Sequence, residues 1–344
     1  MLLRKIIFAP FSLLYLIVTS VRNFLYTRNS LTSTAFTLPV LSVGNLKVGG
    51  TGKTPHTEYL LRLLSEQYPV AVLSRGYGRK TTGFILADAK VSPDIIGDEP
   101  FQYYAKFGNK ITVAVGEDRV LAIEKVLQHN ASLEAIVLDD AFQHRRVKPG
   151  LNILLTEFAY PFYEDFPLPS GWLRESRYGA ARADMIIVTK CPEAIEQEDR
   201  RKIKEKITYY SGEKPVYFTS YQYEKPQWIT QNKATMDTPI LAFAGIADPL
   251  PFFAALKKKY TVFKTISFPD HYSYIQADFE KLVKEAEVLN AMLVTTEKDA
   301  VKIRAFIKNT TVAGFYIPVT VRFLDDEAAF VKMISNFMTK KSFQ

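Results

Sequence analysis

The sequence predicts an α/β fold: a mostly parallel sheet covered by helices on both faces, then a short β linker and a second, smaller α/β domain. Three observations predict it. Short apolar runs that read as buried strands alternate with helical periodicity from residue 36 onward. A glycine-rich turn joins the first of those strands to the first helix. Near residue 214 the alternation yields to an aromatic, proline-punctuated stretch and then resumes. With 344 residues, 47% of them hydrophobic, the chain has ample material for such a core, and two domains are expected.

Taken in order, strands are expected at 36–43, 70–73, 111–115 and 135–138, with 151–155 and 185–188 extending the sheet. A helix is expected at 56–67, where apolar residues recur at helical spacing. Strand, helix, strand in this alternation implies parallel pairing with both faces buried. Between 214 and 238, Val216, Tyr217, Phe218, Tyr221, Tyr223 and Trp228 suggest a two-stranded linker. Beyond it, strands at 240–244, 261–266 and 291–295 alternate with helices at 251–259 and 277–289, so 31–213 and 239–344 are the expected domains. No internal repeat stands out.

Residues 1–30 read differently. No Asp or Glu precedes Glu58, and Arg4, Lys5, Arg22 and Arg28 bracket an apolar, aromatic run. Phe8, Phe11, Leu14, Tyr15 and Val18 recur at three- and four-residue steps, the pattern of an amphipathic helix in a membrane interface. The unbroken apolar run is about 16 residues, short of the ~20 that cross the hydrocarbon core, so a helix lying in the interface is expected and not a span. A secretory signal, a span or a buried helix are the rival readings, and no small-x-small cleavage site follows.

The net charge of +8 suits nucleic acid, acidic lipid or a phosphorylated substrate. Its clustering around the apolar N-terminus, with no nucleic-acid motif, points to an anionic membrane surface and away from nucleic acid. The single cysteine, Cys191, excludes an intramolecular disulfide, and no His/Cys cluster has zinc-ligand spacing.

The chemistry begins at Val43-Gly44-Asn45-Leu46-Lys47-Val48-Gly49-Gly50-Thr51-Gly52-Lys53-Thr54-Pro55, between a strand and a helix. Gly49, Gly50 and Gly52 allow main-chain N–H groups to close around phosphate oxygens, with Thr51 inside the turn and the helix N-terminus adding its positive end. In such a loop Lys53 holds the β- and γ-phosphates and the Thr54 hydroxyl ligates Mg²⁺, so ATP or GTP is the expected ligand. The pattern usually has glycine where Lys47 stands. Asp139 and Asp140 close the strand at 135–138, where a phosphate-loop fold brings an aspartate to Mg²⁺; a helix N-cap is the plain alternative for Asp140.

The loop, with an ordinary residue at position 47, resembles that of the tetraacyldisaccharide 4′-kinases. Further blocks match that family in order: Ser74-Arg75-Gly76-Tyr77-Gly78-Arg79, Gly97-Asp98-Glu99-Pro100, Leu138-Asp139-Asp140-Ala141-Phe142-Gln143-His144-Arg145, Phe268-Pro269-Asp270-His271, and Thr295-Thr296-Glu297-Lys298-Asp299-Ala300-Val301-Lys302. Ala247-Asp248-Pro249 departs from the family's more frequent Gly-Asn-Pro, and Ser170 and Trp172 vary another block. The resemblance implies a P-loop kinase core that moves the ATP γ-phosphate to the 4′-hydroxyl of a tetraacylated glucosamine disaccharide 1-phosphate in lipid A synthesis. It also implies an N-terminal helix at the cytoplasmic face of the bacterial inner membrane. A monomer is expected.

The same resemblance suggests Asp98 as the base, although a Gly-Asp-Glu-Pro turn explains an aspartate equally well. It pairs His271 with Asp98 across the domains. Arg119 is expected at a transition-state or substrate phosphate, Arg79 and Arg174 at substrate phosphate or the acceptor lipid, and Tyr77 against the sugar; a surface ion pair is the plain alternative for each arginine, and filling a loop for Tyr77. Likeness alone puts Lys298 and Asp299 near adenine. The rival function is a membrane-associated regulatory P-loop ATPase with no lipid acceptor. Those ATPases carry a lysine directly before the Gly-Gly pair, where this chain has Val48 and holds Lys47 one residue too early.

Overall fold

A computed structural model describes residues 2–307 and 310–340, with side chains from residue 7 on. After the helix α1 (Leu2–Thr27) come β1 (Val40–Asn45), α2 (Lys53–Ser65), β2 (Val70–Ser74) and β3 (Ile85–Leu86). The chain continues through α3 (Pro93–Ile96), α4 (Asp98–Phe107), β4 (Thr112–Val115), α5 (Arg119–His129), β5 (Ala135–Asp139) and β6 (Leu151–Glu157). Then follow β7 (Met185–Thr189), α6 (Gln197–Ser211), β8 (Val216–Tyr223) and β9 (Gln227–Trp228). The second unit is built from β10 (Ile240–Ala244), α7 (Leu250–Lys257), β11 (Val262–Ser267), α8 (Gln276–Val288), β12 (Met292–Thr296), α9 (Glu297–Ile303) and β13 (Gly314–Ile317). β14 (Val319–Phe323) and α10 (Glu327–Met338) close the described chain.

Nine strands form one sheet in the order β14-β8-β7-β6-β1-β5-β2-β4-β3. Every pair from β8 to β4 is parallel, and only the edges β14 and β3 run antiparallel. All residues of β1, β2, β5 and β7 are buried, as expected of strands covered on both faces. β1 lies between β5 and β6, where the strand order changes direction, and ligands of open α/β sheets bind outside the carboxyl ends of strands at such a point. The second sheet, β11-β10-β12-β13-β9, is parallel except for β9.

Three expectations need correction. The first strand begins at Val40, not 36, because Pro39 has no N–H to offer a ladder; its carbonyl instead accepts from Ile136 N. The linker strands do not pair with each other: β8 joins the first sheet beside β7, and β9 joins the second beside β13. Nor does the second domain extend to the C-terminus. β14 returns to pair with β8, and Phe330, Ile334, Phe337 and Met338 of α10 pack with Leu41, Leu61 and Val72 in the first core. The chain therefore crosses between units twice, at 224–226 and at Pro318.

The helix α1 is longer than the unbroken apolar run suggested. Its segment Ile7–Thr27 is long and apolar enough, by length and composition, to cross a membrane. One stripe of it is nonetheless polar and fastened to the body. Ser12 Oγ donates to Ser170 Oγ at 2.7 Å, Tyr15 Oη to the Arg174 carbonyl at 2.8 Å, and Asn23 Nδ2 to Glu175 Oε2 at 2.6 Å. Arg145 Nη1 donates to the Asn23 carbonyl at 2.7 Å. Tyr15 thus belongs to the docked face and not to the apolar one, while Phe11, Leu14, Val18, Val21 and Phe24 are exposed.

Candidate active site

The glycine-rich loop leaves the end of β1 and runs into α2 with Gly49 at φ 115° and Gly52 at φ 86°, backbone angles that L side chains rarely adopt. Its turn is braced from within and from the sheet. Asn45 Nδ2 donates to Thr51 Oγ1 at 2.8 Å, and Thr189 Oγ1, at the end of β7, donates to the Thr51 carbonyl at 2.9 Å. His56 Nδ1 donates to the Gly52 carbonyl at 2.7 Å, which leaves Nε2 to accept from Thr219 Oγ1 at 3.0 Å. Burial lowers the His56 pKa to about 4, so at neutral pH it is an uncharged brace.

Lys47 explains the missing glycine. It forms an isolated bridge with Leu173, while Val48 N donates to the Trp172 carbonyl, so residues 46–48 run extended beside 172–174 and need no left-handed residue. The Lys47 ammonium bonds the Tyr160 carbonyl at 2.9 Å and pairs with Asp165 at 3.1 Å. It is a strut of the loop, not a free cation.

Lys53 opens α2 and pairs with Asp140 at 3.6 Å; Arg174 holds the other side of the same carboxylate at 2.9 Å. Burial pushes Asp140 upward, but Lys53 and Arg174 outweigh it and keep the carboxyl below its ordinary range. Asp139 is buried instead. Its oxygens accept from Thr57 Oγ1 at 3.3 Å and Tyr103 Oη at 3.1 Å, and burial, with Asp140 and Glu99 nearby, raises its pKa to about 7.

Arg119 is 3% exposed, with Nη1 donating to the Gly116 and Glu117 carbonyls at 3.1 and 3.2 Å. Burial and Arg75 lower its pKa to about 10, so it stays charged, and it feels Asp140 and Asp139. The Arg79 side chain is turned inward and 2% exposed. Its Nη2 is committed to the Gly83 carbonyl at 2.6 Å and to Glu117. Arg174 is likewise committed to Asp140, not to an open lipid surface.

The expected pairing across the two units is present. Asp98, in the first turn of α4, lies 3.2 Å from His271 Nδ1 and 3.0 Å from the Lys302 ammonium. Lys298 Nζ sits 3.1 Å from His271 Nε2; because an ammonium only donates, His271 is assigned as the Nδ1–H tautomer that donates to Asp98. His271 has φ 58°, a left-handed conformation unusual for a non-glycine residue. Burial pushes Asp98 up, but the His271 hydrogen bond and Lys302 prevail and hold it below the usual range. Tyr77 is 67% exposed, and its ring meets His271 edge-on at 5.2 Å between centroids.

Lys302 had no role in the sequence reading, although its four-residue spacing from Lys298 on α9 was a signal that both ammoniums share one helix face. Lys298 pairs with Glu99 at 3.1 Å, and Asp299 is buried in the second unit, accepting from Gly245 N at 2.9 Å.

The chain thus joins a loop shaped for a triphosphate to a carboxylate, Asp98, that is braced from the second unit. Fold and site together define a P-loop phosphotransferase. The family model LpxK, tetraacyldisaccharide-1-P 4′-kinase, matches residues 4–339. A tetraacyldisaccharide 4′-kinase of Flavobacterium psychrophilum is 46% identical over 98% of this chain and 97% of its own length. That of Bacteroides thetaiotaomicron is 42% identical over 86% and 82%. Among solved structures, the "apo" form LpxK from Aquifex aeolicus in complex with ATP covers 98% of this chain and 100% of its own, at 32% identity and a TM-score of 0.76. The chain belongs to the tetraacyldisaccharide-1-phosphate 4′-kinase family.

Proposed function

We infer that this chain is an ATP-dependent kinase of lipid A synthesis that phosphorylates the 4′-hydroxyl of a tetraacylated glucosamine disaccharide 1-phosphate. The family match carries the reaction, and the Asp98–His271–Lys302 convergence carries the assignment of the base. The sugar hydroxyl gives its proton to Asp98 as its oxygen bonds the γ-phosphorus; the bond from that phosphorus to the β,γ-bridging oxygen breaks, and ADP leaves. Transition states of this kind are loose and the nucleophile's proton departs late, so a carboxylate of low basicity suffices if it is well placed. His271 Nδ1–H and Lys302 place it.

The loop amides of Gly49, Gly50, Thr51 and Gly52 cradle the phosphates, Lys53 holds the β- and γ-oxygens, and Arg119 offsets charge on the transferred group. The hard oxygen donors of Thr54 and the acidic pair fit Mg²⁺. Asp140 is taken as the metal-facing member, because its side chain is 32% exposed beside Lys53 whereas Asp139 is 4% exposed behind it. When bound, Mg²⁺ neutralises charge on the β- and γ-phosphates. Arg174 holds Asp140 in place, and Tyr77 stacks on the acceptor sugar beside His271. The regulatory-ATPase reading loses its support, since Lys47 is bound to Asp165 and Tyr160.

Removing Lys302 lets burial act on Asp98 with less opposition. A carboxylate that loses a cation partner titrates higher, so Lys302→Met should move the acid limb of the kcat–pH profile to higher pH. An acid limb that stays where the wild type has it would remove Asp98 from the role of base.

The kinase works at a membrane, on the cytoplasmic side where ATP is made. Fastening of α1 to the body from Ser12 to Asn23 supports a helix lying in the interface, because a span would have to release those bonds. Leu14→Asp with Val18→Asp should weaken partition to anionic vesicles by about 100-fold, from two lost apolar side chains, while ATP binding is retained. Undiminished partition would contradict this orientation.

A further inference from the structure

α4 and α9 come from different units and run antiparallel along a ladder of opposite charges. Asp98 meets Lys302 at 3.0 Å, Glu99 meets Lys298 at 3.1 Å, and Lys106 meets Glu297 at 2.7 Å. The last rung differs from the others. The Lys106 ammonium also pairs with Glu58 at 2.6 Å, and Glu58 is 1% exposed on α2, one turn beyond Lys53 and Thr54. Gln102 Nε2 donates to the other Glu58 oxygen at 2.8 Å. One cation therefore joins the helix behind the phosphate loop, the helix that starts at Asp98, and the helix that carries Lys298 and Lys302.

Two anchors along a helix pair set its crossing angle, whereas one leaves a pivot. Asp98 and Lys106 are eight residues apart, about 12 Å along α4. A buried carboxylate requires a counter-ion, and Lys106 at 2.6 Å is the closer of the two that Glu58 has, Arg62 standing at 3.4 Å, so Glu58 keeps Lys106 in place whether or not the second unit is closed. Glu297 is then the movable partner.

We propose that Lys106 is a positioning residue: fixed by Glu58 in the first unit, it receives Glu297 as the second unit closes and thereby sets the angle at which α9 presents Lys298 and Lys302, with His271 beside them, to Asp98. The proposal rests on the reading of Asp98 as the base. It assigns the nest of two carboxylates, Glu58 and Glu297, and one carboxamide, Gln102, around Lys106 to alignment, not to substrate.

Glu297→Gln cuts the movable contact and leaves the buried Glu58–Lys106 pair intact. Nitroxide labels on the exposed positions Glu124→Cys of α5 and Lys281→Cys of α8 report the separation of the units. The expected result is a broadened distance distribution with kcat lowered by about tenfold and KM for ATP changed by less than about twofold. Lys106→Met combined with Glu58→Gln removes both the cation and the buried charge that needs it. It should melt close to the wild type and show the same kcat loss, and Lys106→Arg should restore the rate. An unbroadened distribution in Glu297→Gln, or a wild-type kcat in the Lys106→Met, Glu58→Gln pair, overturns the proposal. The distance measurement is independent of the chemistry, so a failure of Asp98 as base would appear separately, as an active Asp98→Asn enzyme with the wild-type distribution.

Discussion

Asp98→Asn lowers kcat by about 10²- to 10⁴-fold, the usual contribution of a positioned base, with little change in KM for ATP. The amide keeps the shape of the carboxylate and still accepts a hydrogen bond from His271 Nδ1, so the fold of the cleft should persist; what disappears is a site for the alcohol's proton. The neighbours sharpen the expectation. In the wild type Lys302, His271 and Lys298 all act on this carboxylate, and none of them replaces it as an acceptor: the ammoniums carry no lone pair, and the free lone pair of His271 at Nε2 is already engaged by Lys298. A loss confined to KM would make Asp98 a binding residue, and a wild-type rate would end the mechanism given above.

Lys53→Ala is expected to be as damaging, by about 10²- to 10³-fold in kcat, the scale for removing one preorganised charge from a developing anion. The structure predicts that stability changes little. Lys53 is partly exposed, and its Asp140 partner keeps the closer Arg174 contact at 2.9 Å when Lys53 is gone. Measured by label transfer from γ-labelled ATP to the monophosphorylated disaccharide lipid, alongside a melting curve, the variant should lose transfer and keep its transition. Full transfer would remove the phosphate loop from catalysis. Together the two substitutions separate the halves of the reaction, since one leaves the donor grip intact and the other leaves the acceptor's base intact.

The phosphate loop was legible because its function requires residue types that are rare in sequence order: glycines at fixed spacing, then Lys-Thr at a strand-to-helix junction. Lys47 looked like a defect in that pattern and became intelligible only through its bridge to Leu173, more than a hundred residues away. The strands were legible from apolar runs, but the return of β14 and α10 to the first sheet was not, since α10 offers the same amphipathic pattern to either unit. For Arg79 and Arg174 the sequence shows a guanidinium's charge and not which carboxylate stands beside it, Glu117 for the one and Asp140 for the other.

What the sequence by itself determined was the local chemistry: a nucleotide loop, an acidic strand end, a helix apolar on one side, and by its motifs the family. These depend on neighbours within a few residues or on strings that carry their own signature. Tertiary structure alone decided that Asp98 meets His271 and Lys302 from another unit, that Asp140 lies between Lys53 and Arg174 while Asp139 turns inward to Thr57 and Tyr103, and that Lys106 holds carboxylates of both units. Charge partnership depends on distances of a few ångströms between groups up to two hundred positions apart, and only the closed fold sets those distances.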